Sequence, residues 1–278
     1  MDYGACDVSS DVLVSMCETF YRNKVCVTAE QRADIERETR HQSQCNRWFE
    51  ERRNRITASN AKTITCMRVT TSTTSKVRQL LYPRSTSTDA MDWGKAQEVF
   101  AKAKYENLML VKVDSSGLWV DSENPFLAAS PDGIVNLSLT SSYVVEIKCP
   151  YNARHLTSIR EACEAGKIPL AINSTGEFYL PPAHAHFFQV QLQLQCCDMD
   201  RCDYVVFIPN DIAHVTVRRD REFMSNIIPK LRLFYMDCIL PELVDSRAQR
   251  GLPLREPQRI IDARKEKEAK TAKGNYKK

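Results

Sequence analysis

The sequence predicts a mixed α/β or α+β fold. Three features predict it: a charged, helix-compatible first part, a middle section of short apolar runs separated by turn signals, and a return to helical patterning near the end. The chain has 278 residues, of which 43% are hydrophobic and 27% charged. This composition is ordinary for a globular protein and argues against wholesale disorder.

The first part of the chain is expected to be mainly helical. Residues 1–28 contain no long periodic segment. The charged pattern that follows has Trp48 and Phe49 as apolar anchors, and a further helix is expected to begin near Thr57. The predicted helical segments are residues 28–55, 57–64, a short stretch ending near residue 83, and 92–107.

Short apolar runs in the middle of the chain predict an antiparallel meander of strands. These runs are residues 108–113, 117–121, 126–130 and 142–149. A helical segment to about residue 166 and an irregular loop to Pro182 are expected next. The remaining predicted elements are a glutamine-rich segment at 187–195, strands at 204–209 and 213–219, and a last helix at 221–240.

The positive charge of the chain is concentrated at its end. The net charge is +4, but residues 255–278 hold nine Lys/Arg and four Asp/Glu, so the rest of the chain sums to −1. Charge alone therefore does not predict a nucleic-acid partner. The basic tail, taken as residues 241–278, is interpreted as a solvated end or as a nuclear address.

The cysteines and the lack of long apolar segments predict an intracellular protein, nuclear or cytoplasmic and not secreted. Eleven cysteines form no CxxC pair, which favours free thiols in a reducing compartment over a disulfide framework or a zinc site. The sequence does not start with a basic segment followed by an apolar core, so a secretion signal is not expected. No apolar run is long enough to span a bilayer.

The stretch YVVEIKCP (143–150) carries two charges in the most strand-like part of the chain. Side chains alternate between faces in a strand, so Glu146 and Lys148 share one face with Val144. A surface ion pair is the ordinary interpretation of such a pair. If residues 133–136 pair with 143–149, however, Asp132 of the SPDG turn meets Glu146, and two carboxylates beside a lysine suit a magnesium-dependent hydrolase.

SPDG followed by EIKCP resembles the PD-(D/E)XK nuclease superfamily, and more narrowly the YqaJ-like viral recombinase or lambda exonuclease family. The resemblance extends over about residues 45–210 and implies a restriction-endonuclease-like core with a mixed central sheet flanked by helices. The nuclease domain is expected at residues 45–240, preceded by a helical extension at 1–44 that lies outside the resemblance. Further motifs of the family occur in the same order.

The motif WFEERRNRITAS is similar to the element with which the family binds a terminal 5′-phosphate. The resemblance assigns Arg52 and Ser59 to that phosphate, together with Ser130 before the SPDG proline. A guanidinium makes two-pronged contacts with phosphate, and a serine near a helix start adds a donor. The alternatives Arg53 and Arg55 remain open, as does a solvated arginine cluster on an amphipathic helix.

Two more motifs imply residues at the margin of the site. WGKAQE resembles a family helix whose glutamate, here Glu98, approaches the metal. FFQVQLQLQ resembles the Q-x-Q element and assigns a supporting role to Gln191. Strict alternation in this segment is typical of a strand, but glutamine favours helix and the family segment is helical, so a helix is expected.

The resemblance implies metal-dependent hydrolysis of DNA phosphodiester bonds from a 5′ end. Asp132 and Glu146 would bind Mg²⁺ or Mn²⁺ with the Ile147 carbonyl, while Lys148 would position or activate water. The partner would be a linear duplex end, and a single-strand annealing protein is a possible second partner. Two alternatives are a non-catalytic DNA-end-binding module and an adaptor within a recombination assembly.

Overall fold

The computed structural model describes residues 7–83, 87–138 and 140–275. The chain divides into two compact units, one of residues 1–26, 63–84 and 227–278, the other of residues 27–62 and 85–226. Parts of the predicted extension and tail, residues 1–6 and 276–278, lie outside the described residues. The predicted domain limits at residues 44 and 240 stay a prediction.

The helices and strands are labelled separately in chain order. The α-helices are α1 (Ser10–Phe20), α2 (Ala29–Glu38), α3 (Asn46–Arg53), α4 (Ala61–Thr65), α5 (Thr74–Leu81), α6 (Asp89–Met109), α7 (Ile159–Glu164), α8 (Ala185–Cys197), α9 (Arg221–Phe234), α10 (Leu240–Val244) and α11 (Gln258–Asn275). The strands are β1 (Ile56–Thr57), β2 (Trp119–Val120), β3 (Leu127–Ala129), β4 (Gly133–Ser138), β5 (Ser141–Lys148), β6 (Ala171–Ile172), β7 (Phe178–Tyr179), β8 (Arg201–Ile208) and β9 (Asp211–Arg218).

The main sheet is four-stranded, in the order β4-β5-β8-β9. The β4–β5 and β8–β9 pairs are antiparallel, whereas β5 and β8 are parallel. A parallel pair needs a crossover connection, and the segment containing α7 and α8 provides it. This sheet confirms the expected mixed topology and the predicted pairing of residues 133–136 with the strand that carries Glu146.

Helices cover both faces of the main sheet. On one face Val145, Ile147 and Val205 pack with Ala101 and Tyr105 of α6. On the opposite face the buried residues Val144, Tyr204 and Val206 pack with Val190 and Leu194 of α8 and with buried residues of α7. Burying a valine or isoleucine contributes about 2 kcal/mol. The alternation expected for β5 therefore anchors the strand on both sides and fixes which face Glu146 occupies.

A second, three-stranded sheet has the order β1-β3-β2 and lies against α2. Its strands β1 and β3 are parallel, with Ile56 opposite Leu127 and Thr57 opposite Ala128. The chain segments that leave these two strands therefore start side by side, because parallel strands end at the same edge. These segments carry Ser59 and Ser130.

The predicted four-run meander is wrong: its first run forms no strand, its second and third runs form β2 and β3 of the three-stranded sheet, and its fourth run forms β5 of the main sheet. Residues 108–113 form no strand, because α6 continues to Met109 and closes with Leu110 in the left-handed conformation, φ 55°. Val111 and Val113 instead pack beside the core under α6. The helix expected from Thr57 also begins later: the Ile56 N–H pairs with Phe126 O, which extends residues 56–57 as β1.

Several elements were not predicted individually, although residues 1–44 were expected to be helical overall. Residues 1–28 contain α1, the loop before Pro182 contains the β6–β7 pair, and the basic tail contains α11. The last predicted helix is divided, because a π-helix at Tyr235–Ile239 separates α9 from α10. The glutamine-rich segment is α8, which confirms the helical prediction. Within the described residues, no helix combines the length and apolar character that crossing a membrane requires.

Candidate active site

The pairing of β4 with β5 brings the two acids of the SPDG and EIKCP motifs together. Gly133 lies opposite Val145 in this antiparallel ladder, so the same register continues to Asp132 opposite Glu146. The Asp132 carboxylate accepts a 2.6 Å hydrogen bond from the Ile147 N–H. Asp132 is thereby fixed to the strand that carries Glu146.

Gly133 is needed because residues 113 and 114 pack closely against it. The SPDG motif had suggested instead that the glycine serves a tight turn. A Cβ at this position would lie 2.2 Å from Val113 Cγ1 and 3.0 Å from Asp114 O. Backbone hydrogen bonds in both directions between Asp114 and Ile134 hold this approach. Any side chain at position 133 would push β4 away from residues 113–114 and displace Asp132.

Glu146 is a buried carboxylate, 1% exposed, with three hydrogen-bond donors. Lys148 donates to Oε1 in an ion pair. Gln189 Nε2 also donates to Oε1, at 2.5 Å, and Gln193 Nε2 donates to Oε2 at 2.6 Å. A buried charge needs such partners, and the two amides fix the plane of the carboxylate.

Gln191, the glutamine assigned to the site by resemblance, contacts other atoms. Its side chain donates to Arg218 O and accepts from the Asp220 N–H, at 2.8 and 2.7 Å. Residues four apart share a helix face, whereas residues two apart do not. On α8, Gln189 and Gln193 therefore both reach Glu146, and Gln191 joins the helix to the end of β9. The i, i+4 spacing from Gln189 was the available signal for Gln193, which was not predicted.

Burial and neighbouring carboxylates raise the pKa of Asp132 and of Glu98. Burial first, and then repulsion from Glu146, raises the pKa of Asp132 well above its usual value. Desolvation followed by repulsion from Glu146 also raises the pKa of Glu98, although its side chain remains exposed. Glu98 on α6 thus adds to the same negative region.

Lys148 is the positive member of this group. Burial lowers its pKa, but attraction to Glu146 and Asp132 outweighs burial, so the pKa is raised overall. Lys148 is therefore an ammonium donor in this arrangement. Its possible role in activating water stays a prediction.

The donor set fits a hard divalent cation. Among the described residues, no group of three or more His, Cys, Asp and Glu side chains is arranged to hold a metal ion. Mg²⁺, however, takes one or two protein carboxylates and completes its coordination with water and phosphate oxygens. Asp132 and Glu146 meet that requirement, and the mutual repulsion that raises the pKa of Asp132 is what a cation would relieve.

A second cluster joins the WFEERRNRITAS motif to the residue before the SPDG proline. Trp48 Nε1 donates a 2.9 Å hydrogen bond to Ser130 Oγ, and the Arg52 guanidinium lies 4.0 Å from the centre of the Trp48 ring. Because Oγ accepts from Trp48, the Ser130 hydroxyl hydrogen is available for an anion. The cluster therefore presents a cation and a hydroxyl donor together.

Arg52 differs from the two neighbouring arginines. Burial lowers its pKa to about 10, and among the described residues it has no carboxylate within ion-pair distance. Arg55, in contrast, is buried, pairs with Glu51 and donates to Pro125 O, whereas Arg53 is exposed. Arg52 is thus the desolvated cation that lacks an anion. Ser59 is exposed and follows β1, beside the segment that follows β3.

The first turn of α8 holds the neutral histidine His186. His186 Nδ1 lies 2.5 Å from the hydroxyl of the buried Tyr204. Burial, followed by repulsion from Lys148 and His184, lowers the pKa of His186 to about 3. Since burial also raises the pKa of Tyr204 well above its usual value, the phenol stays protonated and donates to Nδ1. His184 caps α8 by accepting from the His186 N–H.

Comparison with known protein families and proteins identifies one matching family and two similar viral proteins. The YqaJ-like viral recombinase domain matches residues 47–200, more than half of the chain. An alkaline nuclease of Autographa californica nuclear polyhedrosis virus is 32% identical over 109 residues, which are 35% of this chain and 26% of the viral protein. An alkaline nuclease of Orgyia pseudotsugata multicapsid polyhedrosis virus is 32% identical over 108 residues, 34% of this chain and 26% of its own length. The matched part thus spans about a quarter of the length of these curated relatives.

Solved structures share the fold. An alkaline exonuclease from Laribacter hongkongensis, LHK-Exo, superimposes with a TM-score of 0.55 at 22% identity, covering 73% of this chain and 96% of its own. A SOX–DNA complex superimposes with a TM-score of 0.52 at 13% identity, covering 87% and 84% of the two chains. At these identities the similarity shows the fold, which confirms the prediction of a PD-(D/E)XK core.

Proposed function

The chain belongs to the YqaJ-like viral recombinase family, and we propose on this premise that it is a metal-dependent deoxyribonuclease that degrades linear duplex DNA from a 5′ end. One observation carries the proposal: the Asp132 carboxylate is hydrogen-bonded to the Ile147 N–H, next to Glu146, and Lys148 is bound to Glu146. The nuclease and exonuclease names of its relatives support the same reaction class.

The two carboxylates and the Ile147 carbonyl would hold Mg²⁺ or Mn²⁺ at the end of β5. Such an ion, when bound, polarises phosphoryl oxygens and favours deprotonation of water. Glu146 is held in one orientation by Gln189 and Gln193. The Lys148 ammonium donates hydrogen bonds and positions the attacking water or neutralises charge that develops on the phosphate. Exposed Glu98 supports the site from α6.

Arg52, Ser130 and Ser59 would hold the terminal 5′-phosphate. Arg52 is a desolvated cation beside a hydroxyl whose hydrogen is available. An anion at this position would restore the interactions that burial removed from the guanidinium. This need for an anion supports the assignment of Arg52 over Arg53 and Arg55.

The short connection between the two clusters supports cleavage one nucleotide from the end. Ser130 and Asp132 are separated by a single residue, so their Cα atoms lie within about 7 Å. The two clusters are therefore only a few ångströms apart along the chain, the same order of magnitude as the ~3.4 Å rise per phosphate along one DNA strand. Water would attack the phosphorus and the P–O3′ bond would break, leaving a 3′-hydroxyl on the released nucleotide. The remaining strand would keep a 5′-phosphate, ready for the next cycle.

The test is degradation of linear duplex in the presence of Mg²⁺. We expect 5′-mononucleotides from linear duplex, none from a closed circular duplex, and none with Asp132→Asn. Binding to linear ends without product would instead favour the non-catalytic end-binding alternative. Cleavage of the closed circular duplex would show that the protein is an endonuclease. The annealing-protein partner and the roles of residues 1–44 and 241–278 stay predictions.

A further inference from the structure

Gln42 joins two backbone segments that are distant in sequence. Its side-chain amide donates to Ser116 O and to Pro131 O, both at 2.9 Å. Pro131 lies between Ser130 and Asp132 and is itself buried. One amide group of Gln42 therefore holds the peptide carbonyl between the candidate phosphate ligand and the candidate metal ligand.

The backbone of Gln42 is held in a conformation that glutamine rarely adopts. Its φ is 43°, in the left-handed region. Among the described residues, the other non-glycine residues with positive φ are Leu110 and Asp198, and each closes a helix. Gln42 instead begins the 3-10 turn Gln42–Gln44. Strain of this kind persists where the surroundings require it, and it is concentrated at functional sites.

The Gln42 amide donates to the Pro131 carbonyl, and both neighbours of Pro131 are tied to different elements. Ser130 is bonded to Trp48 of α3 and Asp132 to Ile147 of β5. Pro131 has no N–H to pair, so its carbonyl is the polar backbone group through which the residue can be fixed. Reorientation of the Pro131–Asp132 peptide would change the position of Asp132 relative to Ser130.

We propose that Gln42 is a positioning residue that fixes the spacing between the terminal-phosphate pocket and the metal-binding acids. The inference rests on the proposed function. It adds that end recognition and cleavage are coupled through one side chain that touches neither substrate nor metal. A displacement of about 1 Å at a reacting centre can lower the rate by about a hundredfold.

Two substitutions distinguish the effect of the Gln42 side-chain amide from the effect of its left-handed backbone conformation. Gln42→Gly permits positive φ but removes the amide, and Gln42→Glu keeps the shape but directs a carboxylate at two carbonyl oxygens. Gln44→Gly and Gln44→Glu are matched controls, because Gln44 lies in the same turn and is exposed. The unfolding temperature of each full-length variant is measured first, so that rates refer to folded protein.

The readouts are kcat with Mg²⁺ on 5′-phosphorylated and 5′-hydroxyl duplexes, and the ratio of the two dissociation constants in EDTA. For both Gln42 variants we expect kcat to fall about ten- to hundredfold and the phosphate preference to decrease in both assays. The Gln44 variants should keep wild-type values. Unchanged preference with unchanged kcat, or a rate loss explained by the unfolded fraction alone, would overturn the proposal.

Failure of the proposed function would give a different result. If the wild-type protein degrades no duplex, the proposed nuclease function is rejected. The ratio of the dissociation constants for phosphorylated and hydroxyl ends in EDTA would then show whether Gln42 acts on the phosphate pocket. If the Gln42→Gly variant is fully active and keeps its phosphate preference, the positioning role of Gln42 is rejected. The proposed nuclease function is then unaffected.

Discussion

The carboxylate of Asp132 accepts a 2.6 Å hydrogen bond from the backbone N–H of Ile147. This contact joins two motifs that are fifteen residues apart and fixes Asp132 beside Glu146. Because the donor is a backbone group of a central strand, the spacing of the acids depends on the sheet itself. The proposed chemistry is therefore built on a rigid element, as precise positioning of a reacting group requires.

Removal of either charge at the end of β5 should abolish cleavage without unfolding the protein. Glu146→Gln and Lys148→Ala are each expected to lower kcat by at least about three orders of magnitude, because both groups act on the transition state. Exposed Glu164→Gln and Lys167→Ala are controls. Release of mononucleotides and circular dichroism are measured together. Normal cutting by Lys148→Ala would remove that residue from the site.

Arg52 should determine the preference for phosphorylated ends. We expect wild-type protein to degrade 5′-phosphorylated duplex faster than 5′-hydroxyl duplex, and Arg52→Ala to erase the difference, because the guanidinium supplies the charge that recognises phosphate. The exposed neighbour Arg53→Ala is the control and should keep the preference. Rates on the two substrates are compared at equal ionic strength. Equal wild-type rates would exclude the phosphate pocket.

The contribution of α8 can be divided between two glutamines. Gln193→Leu removes a donor from the buried Glu146 carboxylate and should lower activity or metal affinity about tenfold to a hundredfold. Gln191→Leu removes contacts to residues 218 and 220 and should lower the free energy of unfolding more than the activity of the folded protein. Calorimetric Mn²⁺ affinity and urea unfolding separate the two effects. A larger loss of metal affinity for Gln191→Leu would reverse the assignment.

The main sheet should lose stability in acid through Asp203. Burial alone would raise the pKa of this carboxyl, but hydrogen bonds from Arg201, Tyr105 and Thr216 outweigh burial and lower it. The folded protein therefore binds this proton less readily than the unfolded chain. The stabilisation is complete above the unfolded pKa of about 3.9 and is lost as the pH falls through the folded pKa.

Asp203→Asn tests this dependence. At neutral pH the substitution should lower the free energy of unfolding by about 3 kcal/mol, because Arg201 loses a buried partner. Urea unfolding of both proteins is compared from neutral pH to below pH ~3, where the difference should shrink. A difference that stays constant over this range would show that Asp203 carries no shifted pKa.

The sequence predicted the parts of the site that depend on strand alternation and motif order. The positions of Val144 and Val145 on opposite faces followed from period two, and the pairing of 133–136 with β5 placed Asp132 beside Glu146. Gln193 and Gln42 were missed for different reasons. Gln193 required the helical phase of α8, whereas Gln42 meets Pro131 across 89 residues through a contact that no local pattern encodes. Residues 108–113 were misassigned because apolar character alone does not separate a helix end from a strand.

The central claim is that Asp132 and Glu146 bind one divalent cation. A crystal structure of the protein soaked with Mn²⁺ and measured at the manganese absorption edge tests it most directly. The account predicts an anomalous peak between these two carboxylates, next to the Ile147 carbonyl and lost in Asp132→Asn. Ordered carboxylates with no peak between them, or a peak bound by other residues, would contradict it.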